Sequence, residues 1–298
     1  MKSILLSGFL IFIFSPCMAT FAEEINYSFK DFSEIDYSIP GNLYLTQSNQ
    51  YRIVLKATKE QIKEIVLQKK GNSLIIKPKQ TPIYSESYFN LFKGVEIRID
   101  VPVLDAVTSS SSGSIHGQSS FPNVKNMIIK ASSSGNITLS AQANKIEAIC
   151  SSSGSIQLSG KTASLILKTS SSGNIEFSGR ITEYLQAETS SSGNIRCKLP
   201  LNIVIPESQL KIRSSGDISI IGKGNRVEAS SSSSGKLLLN DFQCKVMKID
   251  QRSSVTGYIN VTEKLDIEIT SSGGIVYQGS PRINISGNGS GRVIKLEK

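Results

Sequence analysis

Ten times between residues 113 and 291, at intervals near 20, the chain repeats Gly, any residue, then Ile, Leu or Val, nearly always behind a run of serines. The glycines are Gly113, Gly135, Gly154, Gly173, Gly193, Gly216, Gly235, Gly257, Gly273 and Gly291, spaced by 22, 19, 19, 20, 23, 19, 22, 16 and 18 residues. Self-similarity at a period near 20 means stacked units of one kind, so the repeat constrains the fold before local propensity does. Aligned on glycine, the units alternate. Two residues after it stand Ile115, Ile137, Ile156, Ile175, Ile195, Ile218, Leu237, Ile259, Ile275 and Val293. At minus eight, minus six and minus four the register gives Ile146, Ala148 and Cys150, or Leu265, Ile267 and Ile269, with charged and amide residues mostly between them. Period two is a strand with one buried face.

A single unit of this kind buries no core, so the units must share their apolar faces. The pattern predicts an all-β chain, a parallel β-helix or solenoid of about 20-residue Ser-Gly-x-Ile coils. At the usual strand spacing its repeats form a rod of about 50 Å. The residue before glycine carries a hydroxyl in all ten units, which assigns the serine runs to corners and not to a flexible linker. The corner reading expects positive φ at the repeat glycines and inward, coil-to-coil bonding serines at Ser133, Ser152 and Ser171.

Three segments follow. Residues 1–22 read as a secretory signal peptide, with Lys2, an apolar core from Ile4 to Phe14 and small residues ending at Ala22. Residues 23–104 are strand-rich but less regular and read as a cap on the solenoid, with a short helix near Lys59–Ile65. Residues 105–298 are the repeat solenoid. The apolar run at the start is too short to span a membrane, and nothing later approaches about 20 apolar residues, so stable membrane insertion is not expected. The expected location is exported: periplasmic, cell-surface or secreted.

The segment from residue 23 carries 32 basic and 24 acidic side chains, a balance of +8, and residues 23–104 hold only 11 and 10 of them. The surplus therefore lies in the repeats. Spread-out positive charge favours solubility and anionic surfaces, so the expected partner is a glycan or envelope component. No Lys/Arg cluster with interleaved aromatics occurs, which argues against nucleic acid. Oligomeric state is not legible.

Signals for chemistry are sparse. His116 is the only histidine, so a triad or His-based metal site would rest on one residue. No metal or cofactor is expected, since only Asp217 follows a repeat glycine where a calcium solenoid needs recurring aspartates. Cys150, Cys197 and Cys244 occupy apolar slots and lack metal-ligand spacing. The expectation is a non-enzymatic binding or adhesion module. Two alternatives remain: a polysaccharide lyase or hydrolase using Asp217, Arg196, Glu176 and Arg213, or an ice-binding-like hydroxyl array. The least repetitive aromatic stretch supplies the candidate binding residues Tyr84, Tyr88, Phe89, Phe92 and Lys93, because exposed aromatics stack on sugars or anchor partners.

Several stretches, in order, carry a resemblance: Phe32-Ser33-Glu34-Ile35-Asp36, Tyr44-Leu45-Thr46-Gln47, the strand from Asn72 to Lys77, Val101-Pro102-Val103-Leu104, and the Ser-Gly-Asn-Ile repeats. Together they resemble the bacterial "putative auto-transporter adhesin, head GIN domain" family over nearly all of the chain after its leader. The resemblance implies an all-β, β-helix-like fold in secreted or cell-envelope proteins. It carries over no ligand or active site. A translocator barrel is not expected, because the repeats run to the last residues.

Overall fold

A computed structural model describes residues 22–80, 85–252, 254 and 256–297. The leader expected at 1–22 lies outside them except for Ala22. The described chain is a β-solenoid of about ten turns. Most repeat coils are a single long strand bent at its middle, such as Asn136–Cys150, Ser155–Thr169 and Asn174–Thr189, while the coil after Gly193 is split into Ile195–Lys198 and Val204–Ile212. Every strand lies parallel to its successor, so the two halves of the coils build two facing sheets.

The alternation read from the sequence becomes columns in this lattice. On the first sheet Ile115, Ile137, Ile156, Ile175, Ile195 and Ile218 pair in register and are fully buried. On the second, Ile146, Leu165 and Leu185 stack likewise. Each buried aliphatic side chain contributes about 1.5–3 kcal/mol, an upper figure because the unfolded chain is itself partly collapsed. A slip of one residue would turn every column outward, which is why the register holds.

The repeat glycines have a different role from the one expected. None has positive φ. Instead they stack on one another with no room between coils. A Cβ built on Gly154, Gly193, Gly216 or Gly235 would strike the carbonyl oxygen of Gly135, Gly173, Gly193 or Gly216 in the coil before, far inside the 3.0 Å that real Cβ atoms keep. The serines also differ. Ser133 and Ser152 are only half-buried and Ser171 is exposed. Inward hydroxyls recur four residues before glycine at Ser109, Thr169, Thr189 and Ser231, in a column shared with Ala131, Cys150 and Ile212 and continued by Gln251 in the next coil. Corner backbone joins coil to coil, with Ser132 N–H donating to Ser109 O at 2.9 Å and Ser170 N–H to Cys150 O at 2.9 Å.

One coil is out of phase. Tyr258 pairs with Leu238, and Gly257 pairs with Ile275, so Gly257 occupies the Ile/Leu column and not the glycine column. Ile259, aligned with the column by the Gly-x-Ile pattern, pairs with Leu239 instead. The spacings of 22 and 16 around Gly257 were the trace of this two-residue slip.

At the N-terminal end chain order and stacking order part. Residues 34–47 form a coil whose two halves pair with 106–109 and 114–117 on one side and with 73–76 and 96–101 on the other. Antiparallel strands then finish the stack: Arg52–Ala57 and Glu23–Tyr27 on the first sheet, Ile65–Lys70 on the second. Helix α1 (Lys59–Glu64) carries the chain from one sheet to the other, with a capping box between Thr58 and Gln61. At the opposite end Arg282–Ser286 and Val293–Lys295 pair on one side only, and Ile285, Ile294 and Leu296 are exposed. No described helix is long and apolar enough to cross a membrane.

Gly216→Ala forces a methyl group against backbone and should destabilise the fold by about 1–3 kcal/mol. Gly257→Ala meets only the flexible end of Ile275 at 3.1 Å, and should be neutral or stabilising by up to about 1 kcal/mol. Urea denaturation midpoints of the two variants check the contrast.

Candidate functional site

The predicted aromatic stretch forms helix α2 (Glu86–Leu91), capped by the Ser85 hydroxyl accepting from Tyr88 N–H at 3.3 Å. Tyr84 lies outside the described residues. Phe92 is 1% exposed and belongs to the core, while Tyr88 is half-buried with its ring 5.2 Å from that of Phe92. Phe89, 40% exposed, and Lys93 reach solvent. The Gln61 amide anchors the end of the helix, its Nε2 donating to Leu91 O at 2.7 Å and Lys93 O at 3.0 Å. The segment therefore offers one aromatic and one cation on a fixed support.

The residues considered for catalysis do not converge. Arg196 pairs with Glu176 at 3.2 Å on the first sheet, while Arg213 pairs with Glu188 at the edge of the second. Asp217 accepts from Lys236 N–H at 2.7 Å and its own N–H donates to Asn194 Oδ1 at 3.0 Å, extending a polar ladder from Asn174. These are coil-to-coil braces. His116 stacks on Tyr44 with ring centroids 5.3 Å apart. The three described cysteines, Cys150, Cys197 and Cys244, are buried and free, and burial pushes the Cys197 and Cys244 thiols up to about 12, which holds them as unreactive thiols. Among the described residues no group of three or more His, Cys, Asp or Glu could hold a metal ion.

The second turn of successive coils builds a more promising surface. A groove of about 610 Å³ runs across it, lined by Lys125, Lys161 and Arg180 with the amides Asn123, Gln142 and Asn144. The coil lattice places these groups together. Gln142, Lys161 and Arg180 are register partners on three consecutive coils, one strand spacing apart. Gly160, at φ +132, bends the chain just before Lys161, a conformation that side chains rarely adopt. Thr162, buried beneath, donates to both Asn144 O at 3.1 Å and Ser164 O at 2.8 Å and braces the turn.

Electrostatics set this groove apart. Several other cations of the coils are paired, as in Lys168–Glu147 at 2.9 Å, Arg252–Asp250 at 2.7 Å and Lys264–Asp266 at 2.6 Å. No carboxylate lines the groove, and no described residue forms an ion pair with Lys125, Lys161 or Arg180. Cations on adjacent coils repel, and an anionic ligand would relieve that repulsion. Sequence reasoning located the charge surplus in the repeats but missed the groove. The signal was present as Gln142, Lys161 and Arg180 at equivalent offsets from their glycines.

A family model described as "Putative auto-transporter adhesin, head GIN domain" matches residues 31–202 and again 197–281. The two matches meet in the coil from Gly193 to Gly216, the longest of the series at 23 residues. Among solved structures the chain is similar to a "putative adhesin" from Parabacteroides merdae, at 16% identity and a TM-score of 0.52, covering 94% of this chain and 98% of that one. It is similar to a "Putative lipid binding protein" from Parabacteroides distasonis at 23% identity and a TM-score of 0.51, with the same coverage. At these identities the likeness concerns the fold alone. No curated protein matches the chain.

Truncating the two phenylalanines of the α2 segment separates packing from surface. Phe92→Ala should cost about 3–5 kcal/mol. Phe89→Ala should change stability by no more than about 0.5 kcal/mol. Thermal melts of both variants test the assignment.

Proposed function

The chain belongs to the head GIN domain family of adhesin-like proteins, and on that premise we propose that it is an exported, non-enzymatic binding module that holds an anionic polymer of the cell envelope or of a surface. The observation that supports this reading best is the groove of Lys125, Lys161 and Arg180, which no carboxylate lines. Lys161 and Arg180 lie one strand spacing apart along the solenoid axis. A linear polyanion such as an acidic polysaccharide offers charge along the same direction. Each cation it neutralises releases counterions and adds to affinity, so binding weakens as salt rises.

A second reading rests on the longest coil. Leu201 is 60% exposed and Val204 44%, and the register sets Val204 beside Lys223 and Ile221 beside Lys198. Apolar side chains flanked by lysines suit an anionic lipid surface. It would use a different part of the molecule, so the two readings are separable.

The test is retention of the purified protein on an immobilised acidic polysaccharide, against a neutral one, at rising salt. The double variant Lys161→Glu/Arg180→Glu should bind the acidic polymer about tenfold or more weakly. Unchanged retention would sink the groove. In a parallel sedimentation assay with vesicles of phosphatidylglycerol, Leu201→Ser should abolish binding if the lipid reading holds and change nothing if it does not.

A further inference from the structure

We propose that the outer face of the N-terminal coils carries a second binding site, shaped for a neutral sugar ring and independent of the cationic groove. The site is a cavity of about 480 Å³, within the usual range of small-ligand sites. It forms where the antiparallel strand Arg52–Ala57 joins the parallel stack. Across that junction the register aligns Val54, Arg98, Tyr44 and His116 in one row, with Arg52, Asp100 and Thr46 in the next.

Val54 is the key to the floor. Its neighbours Ile53 and Leu55 point into the core, so Val54 points outward, yet it is only 5% exposed. It lies at the bottom of the cavity. The Tyr44 ring stands two strands along the same row, beyond Arg98, and stacks on His116 at an interplanar angle of 23°. An outward-facing valine and an aromatic ring held by stacking give the floor two apolar ends with Arg98 between them. The C–H face of a pyranose packs on such a floor, as on other aromatic side chains.

The rim supplies what sugar hydroxyls need. Each hydroxyl both donates and accepts, so a binding site requires donors and acceptors interleaved. Here the guanidinium groups of Arg52 and Arg98 alternate with the carboxylates of Asp100, Glu96 and Glu24. Only one contact ties them to each other, Arg98 Nη2 donating to Glu96 Oε2 at 3.2 Å. No described residue engages the side chains of Arg52, Asp100 or Glu24 in a hydrogen bond or ion pair. Three carboxylates against two guanidinium groups disfavour an acidic sugar or a phosphate. The ligand class is therefore a neutral hexopyranose, opposite in charge preference to the groove at the second turn.

The experiment is titration of the full chain with the methyl glycosides of glucose, galactose, mannose and N-acetylglucosamine, followed by chemical-shift changes, with glucuronic acid in parallel. At least one neutral glycoside should bind and glucuronic acid should not. Arg52→Ala, on an exposed side chain, removes a charged hydrogen-bond donor and should weaken binding about tenfold or more. Tyr44→Ala should do the same, while Tyr44→Phe keeps the ring and should retain binding. Lys161→Glu/Arg180→Glu should leave this binding unchanged, so failure of the polyanion groove does not bear on it. Absence of shifts with all four glycosides, or binding indifferent to both Arg52→Ala and Tyr44→Ala, would overturn the proposal.

Discussion

Backbone contact between successive coils at the glycine corner is the constraint on which the rest of the molecule depends. A carbonyl oxygen of one coil fills the space where a side chain of the next would begin. That contact fixes the phase of each coil against its neighbour. Once the phase is fixed, the aliphatic columns fall into line, and residues of one type bury against their own kind from coil to coil. The serines before glycine are left on the outside, where hydroxyls cost nothing to solvate. The inward residues four positions earlier lie beneath the corner, where the Ile212 side chain reaches within 2.8 Å of a Cβ built on Gly235.

A lattice this regular offers little concavity, because each coil presents the same profile as the last. Two candidate surfaces break this regularity. At the second turn, side chains from different coils converge along the axis, and Lys125, Lys161 and Arg180 gather there with no carboxylate among the lining residues. At the N-terminal end the direction of the strands reverses, and the reversal opens a cavity between the outward side chains of antiparallel and parallel neighbours. Both surfaces are built by the scaffold without altering its core.

Much of this fold was legible in the sequence because its information is periodic: glycine, aliphatic and hydroxyl positions recur at fixed offsets. The same pattern misled at Gly257, where Gly-Tyr-Ile imitates the repeat while pairing two residues away from it. Only the neighbours in space reveal that slip. The position of residues 34–47 inside the stack was hidden for a similar reason, since pairing with both 73–76 and 106–109 joins segments far apart in the chain. The site residues were the least legible. Lys125, Lys161 and Arg180 look like scattered surface charge until the coils are superposed, and Val54 reads as core until its strand is seen to turn it outward. Phe92 stood in an aromatic run that promised a surface, but its side chain closes the core.

The slip at Gly257 has a mechanical meaning. In a stacked chain each coil is held only by the coils before and after it, so cohesion is a series of links and not a shared whole. Where Gly257 stands in the aliphatic column, one link lacks a side chain that its counterparts have. The coils beyond it end in strands with one free edge. The last turns are therefore the part of the stack with neighbours on one side only. Under tension or heat the last turns would peel away as a short tab, and the body that carries both surfaces would stay wound.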